Sequence, residues 1–437
     1  MKILVLSNLY PPHHAGTFEV RCQANTEALK LRGHSVKVLT SNHGMTGEQR
    51  SPEVDRRLFL NDAFGHPMVD RFREVRAFET HNHEALRETI DGFKPDLIHC
   101  YSLHGLSKSL IFSLRNSRVP TVYDIADDWV ARGIQKDPWL EFWNRPGFNP
   151  TRASLELAGQ RGQMDATTPT RMMKGYDRIP QLWGKHNEMA RRDANSISAF
   201  RFDRLYFCSQ ALKDATSEAG FRVSHAEVIH FGIDTQGYVG DVRAATEPLN
   251  RFLVVGQLNA QSGALTAVQA LKEFRDAGGK ASLGIYGQGD SQYIAEIRSY
   301  VAARELAVEF LTVSNLARDL PGLYRRHDAL IYPVEWNEPF STIPLEAMAC
   351  GLPVIGSLAG GAAELFRHGE NALTYTPGDS ASLAQQMQIL QGDAALRARL
   401  ADTAQQDVLS KYNQTVVMDR IENYLQTSLE VWAHTAS

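Results

Sequence analysis

The sequence predicts a two-domain α/β protein in which each half is a doubly wound parallel sheet with helices on both faces. Three observations predict it. At 437 residues the chain exceeds what one hydrophobic core ordinarily organises. Each half opens with a short, continuously apolar run that enters a glycine-bearing loop, Lys2 to Ser7 in the first half and Arg251 to Gly256 in the second. The stretch from Tyr332 to Glu364 then reads as a strand end, a loop, a helix from about Ser341, a Gly-Leu-Pro turn and a second strand, Val354 to Gly356.

Composition narrows the functional classes. An apolar share of 43% with 22% charged residues excludes a mainly disordered chain. No run of eighteen apolar residues occurs, which argues against a membrane-spanning helix. The amino end, MKILVLSNLY, is too short for a signal peptide and reads as the first buried strand. Cys22, Cys100, Cys208 and Cys350 lack metal-like spacing and read as reduced, buried thiols. A net charge of -4 and the lack of any nucleic-acid motif leave nucleic acid out as a partner. A cytoplasmic protein is the expectation.

Taken in order, Glu19 to Arg32 reads as a helix closed by Gly33, and Ser35 to Thr40 as the next strand. Gly16, just before that helix, is a place where backbone can approach a phosphate; the alternative is a glycine needed only for the turn. His13 and His14 have no evident third partner, so no metal site is proposed. Residues 44–81 read as polar and irregular. His83 to Phe93 reads as helix, Asp96 to Cys100 as strand, Leu103 to Arg115 as helix, and Pro120 to Ile125 as strand. His99 is a candidate base or a structural histidine. Asp127, after the last of these strands, is a candidate for substrate positioning or a helix cap.

Residues 132–204 carry thirteen Lys or Arg against eight Asp or Glu, interleaved with Trp139, Phe142, Trp143, Phe148 and Trp183. Surface helices burying aromatics account for this. The sharper reading is a basic, aromatic face for an anionic or lipid-linked acceptor, with peripheral association at the inner face of the membrane. Asp203 to Ser209 is then strand and Gln210 to Gly220 helix. A polar stretch, Gln236 to Asn250, separates a domain of residues 1–235 from one of 236–412. In the second, Ala281 to Tyr286 is a strand entering Gly287-Gln288-Gly289, and Glu309 to Val313 another. Residues 413–437 form a final helix with Val417, Ile421, Tyr424 and Leu425 on one face.

The chemistry concentrates at Glu338 and Glu346, eight positions apart, the first on the loop and the second on the helix. Two carboxylates repel a phosphate but accept hydrogen bonds from neighbouring sugar hydroxyls, while the N–H groups of Phe340, Ser341 and Thr342 suit phosphates. A nucleotide sugar satisfies both. The alternative is an ordinary loop charge and a solvent-facing helix residue.

The run E-P-F-S-T-I-P-L-E-A-M-A-C-G-L-P-V-I-G-S from Glu338, with Gly360, Gly361 and Glu364 beyond it, resembles the donor-site signature of the retaining family 4 glycosyltransferases. That resemblance implies the GT-B architecture, two Rossmann-like domains facing a central cleft. It implies transfer of a sugar, with retention at the anomeric carbon, from a nucleotide sugar to a hydroxyl of a carbohydrate or lipid-linked glycan, most commonly in bacterial surface polysaccharide or glycoconjugate synthesis. It implies Glu338 on the donor sugar, Glu346 on the ribose, and Phe340, Ser341 and Thr342 against the donor. Gly287 fits the pattern, and Val313 follows the strand whose loop holds the nucleobase. No metal and no cofactor beyond the donor substrate are implied. The last helix is expected to cross back to the first domain.

Three departures matter. The family segment P-T-V-x-x-x-H-D is met by Ala126 in place of its histidine, with Asp127 kept. The family loop G-R-L-x-x-x-K-G is met by Gln257 and Ser262 in place of the Arg and Lys that meet the diphosphate. Each charge-assisted bond to an anion is worth about 1.5–3 kcal/mol, so losing both costs a rate factor on the order of a hundred to ten thousand unless something replaces them. A non-catalytic partner subunit that binds only a sugar or nucleotide is therefore the rival reading.

Overall fold

The computed structural model describes residues 1–45, 50–69, 71–134, 137, 150, 202–240, 248–311 and 316–436. Two compact units result: residues 1–208, 212–229 and 420–437 form the first, and 209–211 with 230–419 the second. The first unit is built on seven parallel strands: β1 (Lys2–Leu6), β2 (Ser35–Ser41), β3 (Val54–Leu58), β4 (Leu97–Cys100), β5 (Thr121–Ile125), β6 (Arg204–Phe207) and β7 (Glu227–Val228). Their order is β3-β2-β1-β4-β5-β6-β7. The second unit has six: β8 (Arg251–Val255), β9 (Ser282–Tyr286), β10 (Val308–Leu311), β11 (Ala329–Tyr332), β12 (Val354–Ser357) and β13 (Leu373–Tyr375), in the order β10-β9-β8-β11-β12-β13.

Both sheets therefore start at an inner strand, wind outward on one side, and return to build the other. The order reverses between β1 and β4 in the first unit and between β8 and β11 in the second. A crevice opens at such a reversal, outside the carboxyl ends of the strands, and ligands bind there in open α/β sheets. Inner strands are covered on both faces, which is why Ile3 to Leu6 and Phe252 to Leu253 are fully buried and read as unbroken apolar runs.

Helices cover the sheets. In the first unit these are α1 (Thr17–Leu31), α2 (Phe72–Phe93), α3 (Leu110–Asn116) and most of α4 (Gln210–Glu218). The second unit contributes α5 (Ala264–Asp276), α6 (Ser291–Ala302), α7 (Leu316–Arg325), α8 (Ile343–Ala349), α9 (Ser380–Gly392) and α10 (Ala394–Asp407), and α11 (Gln414–Ala436) ends the chain. Helix α5 lays Ala267, Leu271 and Phe274 on the second sheet, and the Phe274 ring meets Phe252 edge-on at 5.9 Å. Truncating such a ring to Ala typically costs about 3–5 kcal/mol, so this contact helps fix where β8 delivers the loop that follows it.

Two segments differ from expectation. Residues 44–81 are not irregular throughout, since they hold β3 and the first ten residues of α2. Strand β3 escaped notice because its middle is Asp55-Arg56-Arg57, yet these charges are buried and paired: Arg57 with Glu88 at 2.8 Å, Lys37 with Asp55 at 3.2 Å, and Arg56 with the Tyr10 carbonyl at 2.8 Å. Helix α3 begins at Leu110, not Leu103, because 101–109 turn first; Gly105 has φ +75° there, and a side chain on it would meet Ala63.

Helix α11 buries Val417, Ile421, Tyr424 and Leu425, and Tyr424 donates its hydroxyl to the Leu205 carbonyl at 2.8 Å. All four cysteines are buried, and none is in a disulfide. Among the described residues no helix is long and apolar enough to cross a membrane. Nearly all of the basic, aromatic stretch 132–204 lies outside the described residues.

Candidate donor site

The loops at the carboxyl ends of β8, β9, β11 and β12 are pressed together, and glycines make that approach feasible. A Cβ on Gly287 would lie 1.9 Å from the Gly256 carbonyl oxygen, and one on Gly360, where φ is +59°, would lie 2.5 Å from the Glu338 nitrogen. Gly263, at φ +69°, likewise leaves room for the Pro333 carbonyl. The β11 loop is further tied down by Gly361 N–H to the Glu338 carbonyl at 2.8 Å and Glu335 N–H to the Gln261 carbonyl at 3.0 Å. Gln257, Ser262, Gly287, Glu338, Phe340, Ser341, Thr342 and Glu346 are thereby gathered around the reversal between β8 and β11.

Glu338 is held from both directions. Its backbone N–H bonds the Trp336 carbonyl at 2.8 Å, and its carboxylate accepts the Tyr332 hydroxyl. Burial raises its pKa, and the bond from Tyr332 opposes that rise. Glu346, on the first turn of α8, accepts Tyr324 Oη at 2.9 Å on one oxygen and Thr342 Oγ1 at 2.9 Å on the other. It keeps some exposure, yet desolvation pushes it up to about 7 against those two bonds. Both carboxylates thus sit in neutral, hydroxyl-bearing surroundings and attract further hydroxyl donors more than anions.

The phosphate-side candidates are more constrained. Gln257 is exposed at the head of its loop. Ser262 donates its hydroxyl to the Asn259 carbonyl at 2.7 Å, and the first-turn Leu265 N–H of α5 goes to the Tyr293 hydroxyl at 3.0 Å. The start of α5 therefore has its donors partly occupied. Helix α8 starts at Ile343, two residues later than expected, and Pro344 on its first turn has no N–H to offer. Phe340 turns its ring inward against His230 and Phe231, 5.2 Å from each, and Ser341 is buried, so backbone is what these residues present. Val313 lies outside the described residues.

In the first unit Gly16 precedes α1 with an extended backbone, and its N–H goes to Glu19 Oε2 at 3.0 Å. No steric reason for glycine exists there, since an added Cβ would come only within 3.9 Å of that same carboxylate. Asp127 accepts Trp129 N–H at 2.9 Å and Ser102 Oγ at 3.1 Å, so it caps the turn that begins at Trp129. Burial raises its pKa. With Ala126, Asn8 and Arg21 it lines a small cavity at the reversal between β1 and β4. His99 is fully buried, bonded to Tyr206 Oη at 2.9 Å, and its pKa falls to about 4 through burial, which makes it a neutral structural histidine.

Sequence reasoning missed Tyr324 and Tyr332 as the hydroxyl donors to the two glutamates, and gave no role to Glu364 of the signature, whose carboxylate accepts Gln210 N–H at 3.0 Å, Ala211 N–H at 2.8 Å and His230 Nε2 at 2.8 Å. Tyr332 carried a signal: a polar-tipped aromatic ending a buried strand needs a partner. Tyr324 and Glu364 act across elements far apart in sequence.

Known proteins resemble this chain in sequence and in fold. The signature of the glycosyl transferases group 1 matches residues 242–407, and that of the glycosyl transferase 4-like domain matches 16–151. A glycogen synthase of Mycobacterium tuberculosis is 31% identical over 430 residues, covering 97% of this chain and 94% of its own. An uncharacterized glycosyltransferase of Methanocaldococcus jannaschii is 23% identical and covered to 99% on both sides. Among solved structures, Anabaena HepE in complex with UDP and glucose superposes with a TM-score of 0.63 at 20% identity, over 98% of this chain and 100% of that one. Sucrose-phosphate synthase from Thermosynechococcus elongatus gives 0.64 at 17% identity, with both chains fully covered. Near one third identity along almost the whole length, two family signatures and a doubly wound sheet in each unit lead to one conclusion: the chain belongs to the group 1 glycosyl transferases, family 4 of the GT-B glycosyltransferases.

Proposed function

We propose that this protein is a retaining glycosyltransferase that moves a sugar, a hexose or a related ring, from a nucleoside-diphosphate sugar to an acceptor hydroxyl of a carbohydrate or lipid-linked glycan. Bacterial surface polysaccharide or glycoconjugate synthesis is the process it would serve. The observation that carries the reading is the pair Glu338 and Glu346 at the β8/β11 reversal, each fixed by a tyrosine hydroxyl, with no ion pair to either among the described residues. Such carboxylates suit neutral hydroxyls. In this scheme Glu346 takes the ribose and Glu338 the transferred sugar.

In the reaction, the bond from the anomeric carbon to the diphosphate breaks while a bond from the acceptor oxygen forms on the same face. The departing phosphate oxygen takes the acceptor proton. Backbone N–H groups near Ser341 and Thr342, with Gln257, would stabilise the charge that develops on the diphosphate. Ser262 joins them only by giving up its bond to Asn259. Gly16 contributes a close backbone approach only if Glu19 releases its N–H. The relative solved with UDP and glucose supports a uridine nucleotide as the first donor to try.

A second reading, a partner subunit that binds without transferring, is favoured by one set of observations: Ala126, Gln257 and Ser262 replace groups with charge or acid–base character, and the Ser262 hydroxyl and Gly16 N–H are both committed internally. Turnover separates the two. The enzyme reading expects sugar transfer with retained anomeric configuration by wild type and none by Glu338→Ala. Wild type that binds nucleotide and transfers nothing across a broad acceptor panel, without even hydrolysing the donor, would leave only the partner-subunit reading.

A further inference from the structure

Helices α2 and α3 enclose a cavity on one face of the first sheet. Its volume is about 110 Å³, and it is lined by His83, Leu86 and Ile90 of α2 and by Ser113 and Asn116 of α3, with Ser117 just beyond. A protein cavity of about 150 Å³ takes a whole six-membered ring, so this one, open at an exposed rim, seats most of such a ring. The last turns of α2 lead into β4 and the end of α3 leads into β5. The cavity therefore lies toward the ends where those strands begin, away from the loops that follow them.

Two polar groups on its wall lack a match. Asn116 Nδ2 is buried, yet it meets no hydrogen-bond acceptor among the described residues. Native structures keep few such donors. Ser113 is the other. Ser109 Oγ spends its one proton on Glu79, so His83 donates to Ser109 from Nε2, at 2.8 Å. A neutral imidazole then accepts at Nδ1, and the group that donates to it is Ser113 Oγ, at 2.5 Å. With its proton committed to His83, the Ser113 hydroxyl offers the cavity only lone pairs. Ser117 is already engaged, since its hydroxyl donates to the Leu114 carbonyl at 2.6 Å and accepts Val119 N–H at 3.2 Å.

One donor and one acceptor therefore stand three residues apart on α3, a spacing that sets Cβ atoms about 5–6 Å from each other. A single hydroxyl spans that gap poorly. The adjacent C=O and N–H of a cyclic amide, presented side by side, meet both. Leu86 and Ile90, four apart on α2, give an apolar wall for the face of the ring. A sugar would leave most of its hydroxyls unpaired against that wall. The rim holds one charge of each sign, Arg87 and Asp91, both exposed, so it favours a ligand without net charge. We propose that this cavity binds a small uncharged ring carrying a cyclic amide, the chemical class of the pyrimidine bases, with its carbonyl on Asn116 Nδ2 and its N–H on Ser113 Oγ. The site does not depend on the transferase reading.

The test uses the full chain at pH 8 and ligand-observed NMR with uracil, pyrrolidinone and a dimethyluracil methylated on both nitrogens, which keeps the carbonyls and has no N–H. Uracil or pyrrolidinone binds with millimolar affinity, and dimethyluracil binds about tenfold more weakly or worse than uracil. Asn116→Leu, which keeps the size and removes the donor, weakens the cyclic amide about tenfold. Ile90→Phe, which fills the cavity from its apolar side, does the same and guards against an Asn116 variant that does not fold. Each titration is repeated with excess uridine diphosphate, and the cyclic amide stays bound. Displacement by uridine diphosphate overturns the proposal, because the amide then sits in a nucleotide site. So does dimethyluracil binding as tightly as uracil, affinity untouched by either variant, or no cyclic amide bound at about 50 mM. Amide binding without any nucleotide binding upholds this site and contradicts the donor reading instead.

Discussion

Tyr324 donates its hydroxyl to Glu346 at 2.9 Å, across 22 residues of sequence and from the last turn of α7 to the first turn of α8. With Thr342 on the other oxygen, this holds a desolvated carboxyl in place beside the β8/β11 crevice. Its pKa, about 7 against an ordinary 4.5, ties its ionisation to fold stability and, if the proposed donor site is right, to nucleotide binding as well.

The sign follows from linkage. A carboxyl whose folded pKa is raised costs the fold nothing below about pH 4.5, where it is protonated in both states, and costs most above pH 7, where the folded state must bury its charge. Glu346→Gln should therefore match wild type in stability near pH 5 and exceed it by about 2–3 kcal/mol near pH 8. Denaturant midpoints at the two pH values check this. Ribose hydroxyls bond more strongly to the ionised carboxylate than to the neutral acid, so wild-type nucleotide affinity should rise between pH 6 and pH 8, and the variant should lose that rise.

Removing the Tyr332 hydroxyl strips Glu338 of that hydrogen bond and leaves a gap only the size of one oxygen atom. Tyr332→Phe should cost about 1–3 kcal/mol of stability and raise the Glu338 pKa further. Turnover near neutral pH should fall and partly recover as pH rises and the carboxyl ionises. A pH–rate profile of the variant against wild type reads this directly.

Two glycines should respond in opposite ways. Gly287→Ala forces a methyl to within 1.9 Å of the Gly256 carbonyl, so the β8 and β9 loops must separate. Lowered thermal stability and lost nucleotide binding are the expected outcome. Gly16→Ala meets open space, and its stability should stay within about 0.5 kcal/mol of wild type. Lost turnover in a Gly16→Ala protein that folds normally would mark close approach of a ligand there.

The missing diphosphate cations can be restored. Gln257 is exposed at the loop head, where a longer side chain fits, so Gln257→Arg should tighten nucleoside-diphosphate binding roughly tenfold to a hundredfold, with little effect on a nucleoside alone. Calorimetric titration of both ligands separates the phosphate contribution from that of the base.

The fold was legible because strand cores such as Ile3 to Leu6 and Leu253 to Val255 are apolar without interruption, and glycines mark the loops that follow them. Strand β3 was not legible. Its Arg56 and Arg57 look like solvent charges until distant partners, Tyr10 and Glu88, are brought to them by folding. Within the donor site, Glu338 and Glu346 stood out through their motif, whereas the hydroxyls that govern their ionisation come from Tyr332 and Tyr324 through packing. Asp127 shows the converse. Its position after a strand suggested chemistry, and its two observed bonds, to Trp129 N–H and Ser102, are those of a cap.

Glu346 and its neighbours at the β8/β11 reversal are proposed to bind the nucleotide of a sugar donor. Calorimetric titration of wild type and Glu346→Gln with a panel of nucleoside diphosphates at pH 8 tests it most directly. One base should bind wild type selectively, and the variant should bind it about tenfold or more weakly, with an unchanged or higher melting temperature. Equal affinity in the two proteins, or no nucleoside diphosphate bound by wild type, would contradict it.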